Sequence, residues 1–192
     1  PVQSGSNKIL KAMNRQHTRE EYLGLIKEIK EIIPDCSISQ DIISGFPNET
    51  DKDHNLTLDL MNKVKYDFGY MFKYSERPGT LASKKFNDNI SELTKKNRLQ
   101  EIVDLQQKHS NYRTKGYVGK IVEVLIEKES KKSRFQWSGR NQQNTVVVFD
   151  KENYQIGDFV NVLITDCTSA TLIGNAVNYS KNSTNGIIYS NN

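Results

Sequence analysis

The spacing of apolar residues changes near residues 111–116, and this change divides the 192-residue chain into two parts. Before it, apolar residues at helical spacing alternate with short apolar runs, which is the pattern of a parallel α/β sheet or barrel. After it, apolar and polar residues alternate, which indicates β-strands. We therefore predict an α/β unit followed by an all-β unit.

The first part contains two predicted helix–strand pairs. Thr18 and Glu21 have the spacing of a capping box, which starts a helix, and a strand is predicted after it over residues 37–43. A second helix begins near Thr50, and an aromatic-rich strand is predicted over residues 68–74. Two parallel strands are too few to close a barrel, so the pattern favours an incomplete (β/α) barrel.

Five short strands are predicted in the second part, separated by tight turns. Five strands in a segment of this length suggest a small antiparallel barrel of the OB type. The predicted domains are a partial α/β barrel over 1–90, a connector helix over 91–112, a β-barrel over 113–177 and a tail over 178–192. The tail is predicted to be flexible because Asn and Ser dominate it.

Composition excludes several classes of protein. No apolar run approaches the roughly 20 residues that span a membrane, so no membrane association is predicted. The chain has two cysteines, Cys36 and Cys167, which lie far apart and form no CxxC motif. This argues against a disulfide framework and against a complete metal site, and it is consistent with reduced thiols and a cytoplasmic location.

Positive charge is concentrated in the middle of the chain. Residues 84–140 contain 14 Lys or Arg against 7 Asp or Glu, whereas the whole chain has a net charge of only +4. Such a basic segment is typical of a protein that binds a polyanion such as nucleic acid. A solvated helix face followed by a charged hairpin would give the same excess, so charge alone leaves both interpretations open.

Polar residues and glycine follow the predicted strands of the first part. In α/β barrels the loops after strands form the active face, glycine lets backbone approach a ligand, and arginine binds anionic groups bidentately. Taken singly, these residues also fit turns and helix caps. The candidate ligand-binding residues are Gln3, Ser4, Asp41, Ser44, Gly45 and Arg77.

Several segments, in this order, closely resemble successive blocks of the radical S-adenosylmethionine methylthiotransferases. The blocks are Gln3 to Ser6, Met13 to Arg15, Thr18 to Tyr22, Asp41 to Thr50 and Tyr74 to Thr80. Gly139 to Asn141 and Asn144 to Phe149 resemble the TRAM domain of the tRNA-modifying members. The resemblance is strongest to the branch that methylthiolates isopentenyladenosine next to the tRNA anticodon. A threonylcarbamoyladenosine methylthiotransferase and a non-catalytic RNA-binding module are the alternatives.

The resemblance implies that residues 1–90 are the C-terminal part of a radical SAM barrel and that the six candidate residues contact S-adenosylmethionine. The sequence departs from the family pattern at three positions near this predicted site. The family pattern has threonine at Gln40, valine at Ser44 and glycine at Asn48. Asparagine tolerates the left-handed conformation that glycine adopts, so Asn48 is the mildest of these changes.

The resemblance also implies two [4Fe–4S] clusters in the parent enzyme, held by six cysteines. Neither cysteine set occurs in this chain, and Cys36 and Cys167 match none of those positions. We therefore expect the chain to bind no cluster, to contain no catalytic residue and to be inactive alone. An incomplete barrel also exposes strand edges and apolar faces, so self-association through residues 1–90 is expected.

The β-barrel is predicted to bind RNA, and the resemblance implies that the partner is the tRNA anticodon stem-loop. Lysine and arginine neutralise phosphates, and a tryptophan can stack on an unpaired base. Trp137 could instead fill the barrel core, and the charged hairpin could simply be a solvated loop. The predicted RNA-binding residues are Lys120, Arg134, Trp137, Arg140 and Asn141.

Overall fold

A computed structural model describes residues 1–177, which form parts of two compact units. The first unit extends from Pro1 to Ser110, and the second begins at Asn111. The predicted flexible tail, residues 178–192, lies outside the described residues. The two units are described separately below.

The first unit combines helices with a small parallel sheet. Its elements are α1 Asn7–Ala12, α2 Arg19–Ile32, β1 Ser39–Ser44, α3 Asp51–Val64, β2 Phe68–Lys73, α4 Leu81–Lys85 and α5 Glu92–Lys115, whose last residues belong to the second unit. Capping boxes explain where two of the helices begin. The Thr18 hydroxyl accepts from the Glu21 N–H at the start of α2, and the Thr50 hydroxyl accepts from the Asp53 N–H at the start of α3.

The sheet pairs β1 with β2 in parallel, and Gln3 adds a further parallel bridge to Ile42 on the other side of β1. The apolar core contains Val2, Ile42, Leu60, Met61, Val64, Tyr66 and Ile102. Side chains alternate along a strand, so the opposite face of β2 carries different residues. On that face Phe68, Tyr70 and Phe72 are exposed. The sheet therefore has one covered face and one aromatic face that the described residues leave open.

The second unit is a closed five-stranded barrel. Its strands are β3 Ile121–Glu129, β4 Gln136–Asn141, β5 Val146–Asp150, β6 Phe159–Cys167 and β7 Thr171–Ala176, in the order β3-β4-β5-β7-β6. The predicted five-stranded barrel is confirmed, although it is mixed rather than purely antiparallel, because β5 and β7 run parallel. A ring with an odd number of strands cannot alternate direction at every step, so closure requires one parallel pair.

Two local features differ from the sequence prediction. The first strand covers Ser39–Ser44 rather than residues 37–43, so it extends to the serine before Gly45. The short helices α1 and α4 were not predicted. Each begins after a hydroxyl residue that accepts a hydrogen bond from the first turn: Ser6 accepts from the Ile9 N–H, and Thr80 accepts from the Ser83 N–H.

Candidate functional site

Gln3 occupies the carboxyl edge of the parallel sheet in an unusual conformation. Its φ angle is +66°, a region that non-glycine residues seldom adopt. Two backbone bonds hold it there: the Gln3 N–H donates to the Asp41 carbonyl at 2.9 Å, and the Gln3 carbonyl accepts from the Ile43 N–H at 3.0 Å. The side chain is buried, and Oε1 has no hydrogen-bond partner within residues 1–177. A buried acceptor of this kind is suited to a ligand that donates a hydrogen bond.

Two more buried hydroxyls lie at the ends of the neighbouring strands. Ser44 ends β1 and Tyr74 follows β2, and the described part of the chain offers no hydrogen-bond partner to Ser44 Oγ or Tyr74 Oη. Burial raises the pKa of Tyr74, so its hydroxyl remains neutral. Gln3, Ser44 and Tyr74 thus leave three unsatisfied polar atoms where adjacent parallel strands end, which fits a polar ligand at this edge. Tyr74 was not among the predicted site residues, although it begins the last block of the family resemblance.

Gly45 shapes the turn that leaves β1. Its φ angle is +74°, and its N–H donates to Glu49 Oε2 at 2.7 Å. A Cβ atom on Gly45 would lie 2.5 Å from Lys95 Cγ, so only glycine fits here without displacing Lys95. The same Glu49 oxygen accepts from Arg98 Nη1 at 3.0 Å. The pairing of Glu49 with Arg98 was not predicted, because 49 residues separate them in the sequence.

The other predicted ligand-binding residues have different surroundings. Ser4 is buried, with its Oγ 3.4 Å from Thr57 Oγ1, so helix α3 already engages it. Asp41 is half-buried and pairs with Tyr70 in the strand register. Because side chains alternate along a strand, Asp41 lies on the aromatic face of the sheet, whereas Ile42 lies on the covered face. The Arg77 side chain is exposed, beyond β2. The structure therefore brings Gln3, Ser44 and Gly45 to one edge of the sheet, with Ser4 beside them. The assignment of all six to cofactor binding stays a prediction.

An iron–sulfur cluster does not fit the residues present. Such a cluster requires several cysteine thiolates around it. Cys36 belongs to the first unit and Cys167 to the second, and both are free and half-buried. Within residues 1–177, no group of three or more His, Cys, Asp or Glu side chains is placed to hold a metal ion.

Two of the predicted RNA-binding residues make contacts that stabilise the barrel itself. Trp137 is paired with Phe149 and packs against the barrel core, while Lys151 Nζ lies 4.3 Å from the centre of its ring. Asn141 is buried, and its Oδ1 accepts from the Thr145 N–H at 2.8 Å, which closes the turn between β4 and β5. These contacts favour the interpretation that Trp137 fills the core.

The three cations reach the surface. Lys120 is exposed, with Nζ 5.9 Å from the Tyr117 ring centre, and Arg134 lies 5.0 Å from the ring centre of the exposed Phe135. Arg140 is half-exposed: its Nη1 donates to the Asn144 carbonyl at 2.8 Å, and its Nε is 3.4 Å from Glu127. Arg140 therefore stabilises the β4–β5 turn and still presents charge to solvent.

Both units of the chain match known proteins. The Radical SAM superfamily matches residues 1–61, and the TRAM domain matches residues 115–177. A Christiangramia forsetii protein is 68% identical over 95% of this chain, and a Flavobacterium johnsoniae protein is 65% identical over 94%. Both are named tRNA-2-methylthio-N(6)-dimethylallyladenosine synthase. The chain is therefore similar to these tRNA methylthiotransferases over nearly its whole length.

These matches confirm the resemblance found in the sequence and its two domain types. The chain spans 38% of the length of the first of these relatives and 37% of the second. Among residues 1–177, no helix combines the length and the apolar character needed to cross a membrane.

Proposed function

We propose that the chain acts as part of an enzyme that adds a methylthio group to isopentenyladenosine beside the tRNA anticodon. The observation that carries this proposal is the high identity to two relatives whose names describe this reaction, over nearly the whole chain. The presence of radical SAM and TRAM regions in one chain supports this proposal. A radical SAM region suits the addition of the methylthio group, and a TRAM domain suits binding of the tRNA substrate. The proposed domains are those predicted above: 1–90, 91–112 and 113–177.

The proposed role of the first unit is to bind S-adenosylmethionine through Gln3, Ser4, Asp41, Ser44, Gly45 and Arg77. The unsatisfied Oε1 of Gln3 would accept a hydrogen bond from the ligand, and the Ser44 hydroxyl would donate or accept one. When bound, S-adenosylmethionine supplies the radical chemistry of the family. The contribution of these side chains is to orient it and to satisfy its polar groups where water is excluded.

Two [4Fe–4S] clusters are proposed for the complete enzyme and none for this chain, since its two cysteines cannot surround a cluster. The chain alone is therefore proposed to be inactive. The complete enzyme is proposed to work in the cytoplasm, where its substrate tRNA is found.

The proposed role of the second unit is to bind the tRNA anticodon stem-loop. Lys120, Arg134 and Arg140 would contact phosphates, because their charges reach the surface. Trp137 and Asn141 would contribute by shaping the barrel that presents these cations. A methylthiotransferase for threonylcarbamoyladenosine and a non-catalytic RNA-binding module remain the competing functions.

A substrate comparison distinguishes these functions. The complete enzyme, with its clusters reconstituted without oxygen, would be given one tRNA carrying isopentenyladenosine and another carrying threonylcarbamoyladenosine. Mass spectrometry of the nucleosides should show the methylthio group on the first alone. Modification of the second tRNA would favour the sister activity, and modification of neither would favour a non-catalytic module. The 192-residue chain serves as the inactive control.

A binding measurement tests the cofactor site separately from turnover. Gln3→Ala in the complete enzyme should weaken S-adenosylmethionine binding about tenfold, as expected when one hydrogen bond to a polar ligand is removed. Gln16→Ala is the matched control, because Gln16 is exposed. Equal affinity of the Gln3 variant and the wild type would contradict the assignment of Gln3.

A further inference from the structure

A groove of about 370 Å³ lies on the outside of the β-barrel, across β4, β5 and β7 and beneath the β3–β4 hairpin. We call it the outer groove. Its floor is formed by Val146, Val148 and Ile173, and lysines of β3 and the hairpin form one wall. All of these residues belong to the second unit. The volume is within the range of about 300–1,000 Å³ typical of sites for small ligands, so a nucleotide-sized group fits.

The apolar floor is not part of the barrel core. Val147, Phe149 and Leu172 alternate with the floor residues along β5 and β7, and those three side chains are fully buried. Because side chains alternate along a strand, the floor side chains must point outward. Ile173 is 36% exposed. An apolar patch on the outside of a small barrel, surrounded by charge, indicates a binding surface.

A β-bulge directs Lys128 toward this groove. Val124 and Ile126 point into the core, so regular alternation along β3 would direct Lys128 inward as well. The register instead shifts between Ile126 and Lys128, and Lys128 pairs with Ser138 on the outside. Bulges characteristically redirect side chains in this way. Because of the bulge, Lys128 points outward and places its ammonium group at the groove wall.

The groove carries a strong excess of positive charge. Lys128, Lys131, Lys132 and Arg140 line it, against the single carboxylate of Glu127. Arg140 is paired with Glu127, but the three lysine ammonium groups make no ion pair or hydrogen bond within the described range 1–177. Three free ammonium groups above an apolar floor suit a ligand that combines negative charge with a flat apolar face.

Single-stranded RNA has both properties. Its phosphates carry the charge, and an unstacked base offers an apolar face to the floor. An A-form duplex presents phosphates but keeps its bases stacked inside, so it would leave the floor unused. An acidic peptide would satisfy the lysines, but its Asp and Glu side chains offer no flat apolar face to the valines and isoleucine.

We propose that the outer groove binds an unpaired nucleotide segment of RNA, with Lys128, Lys131 and Lys132 on its phosphates and Val146, Val148 and Ile173 against a base. The proposal rests on the proposed function, since it names the surface and the type of RNA that the β-barrel recognises. It differs from that function in locating recognition at the hairpin lysines and the apolar floor. Lys120 does not line the groove.

The test is binding of the 192-residue chain to an unstructured RNA of about eight nucleotides, a length typical of one OB-type barrel. Fluorescence anisotropy across a salt series would compare the wild type with the double variant Lys131→Ala, Lys132→Ala. Affinity should fall about tenfold at low salt, and the slope of log affinity against log salt should decrease by about 1.4, or roughly 0.7 for each phosphate that is no longer neutralised. Lys96→Ala with Lys108→Ala removes equal charge from exposed positions of α5 and should have little effect.

The floor needs its own variant. Val148→Glu places a carboxylate among the phosphates and should abolish binding, whereas Val148→Thr keeps the shape and should weaken binding only about threefold, because it removes little apolar surface. Circular dichroism would show that each variant is folded. A duplex of the same sequence should bind more weakly than the single strand.

Three results would overturn the proposal that the outer groove binds unpaired RNA. The first is RNA binding that the groove variants leave unchanged, which would leave the proposed function standing with another RNA surface. The second is equal competition by polyglutamate, which would favour an acidic protein as the occupant. The third is absence of any RNA binding by the folded chain at low salt. The tRNA modification assay on the complete enzyme, which does not depend on the groove variants, then decides whether the proposed function also fails.

Discussion

Arg98 of helix α5 holds the buried carboxylate of Glu49 in the loop after β1. Arg98 Nη1 donates to Glu49 Oε2 at 3.0 Å and to the Glu49 carbonyl at 3.1 Å. The same carboxylate oxygen accepts from the Gly45 N–H. Burial raises the pKa of Glu49, and the Gly45 N–H and Arg98 partly oppose that rise. This pair therefore fixes the turn at Gly45, where the candidate cofactor residues lie.

Removing the arginine should destabilise the protein. Arg98→Met leaves the Glu49 carboxylate buried without its cation, which should lower the free energy of unfolding by about 3 kcal/mol at pH 7. The pKa of Glu49 should rise further above 4.5 in the variant, since the lowering by Arg98 is removed. A raised carboxyl pKa means that the folded state holds its proton more tightly, so the penalty should shrink as pH falls through that pKa. Urea unfolding between pH 4.5 and 7.5 measures both effects.

A double variant separates the pair from general packing. In Arg98→Met with Glu49→Gln, no buried charge remains to be compensated, so part of the stability should return. The pH dependence of the single variant should also disappear. Strictly additive losses of stability in the two single variants would contradict the ion-pair explanation.

The Asp53 carboxylate should make the free energy of unfolding decrease in acid. Burial raises its pKa, but hydrogen bonds from Ser6, Thr50 and Lys8 outweigh that effect and hold the pKa of Asp53 well below its usual 3.8. Because the pKa is depressed, the contribution of Asp53 is present above pH 3.8 and is lost as pH falls below it. Asp53→Asn should lower the free energy of unfolding by about 2 kcal/mol at pH 7. Asp35→Asn, at an exposed position, should leave it unchanged. A deficit in the Asp53 variant that does not begin to shrink as pH falls from about 4 to about 2 would contradict the argument.

Gly45 should tolerate substitution less well than a glycine with a similar backbone. Gly45 and Gly79 have φ angles of +74° and +84°, but a Cβ at Gly79 meets no described atom within 4 Å. Gly79→Ala should therefore lower the free energy of unfolding by only about 1 kcal/mol, the cost of placing a Cβ atom on a left-handed backbone. Gly45→Ala has the same backbone cost and adds a clash with the buried Lys95. It should therefore lower the free energy of unfolding by about 2 kcal/mol or more. Thermal unfolding of both variants compares them, and equal destabilisation would show that Lys95 moves aside freely.

The sequence predicted those features that depend on neighbouring residues. The capping box at Thr18 and a helix start near Thr50 were predicted, and in the structure both starts depend on bonds that span only three residues. The five barrel strands follow from alternation in the same way. The Glu49–Arg98 pair joins residues 49 positions apart, and neither residue type distinguishes it from a surface charge. The bulge at Glu127 also escaped prediction, because alternation continues in the sequence while the register shifts in the structure.

Trp137 should act mainly through stability. Its ring packs against the barrel core beneath Lys151, so Trp137→Ala should lower the free energy of unfolding by about 3 kcal/mol, and Trp137→Phe should lower it less. Below the unfolding temperature, RNA affinity should change less in Trp137→Phe than in Arg140→Ala. Denaturation and anisotropy on the same samples measure the two quantities. A stable Trp137→Ala variant with strongly reduced RNA affinity would restore the base-stacking interpretation.

The aromatic face of β2 should make the chain self-associate. Phe68, Tyr70 and Phe72 are 40%, 62% and 54% exposed on one face of the sheet, and a contiguous apolar surface of this kind drives association. Light scattering should show a mass that rises with concentration. Tyr70→Lys with Phe72→Lys should return the chain to a monomer, because two charges on the face oppose its burial. Leu93→Lys changes an equally exposed apolar residue of α5 and should have no such effect. A wild-type monomer at high concentration would instead mean that these rings tolerate solvent without a second copy.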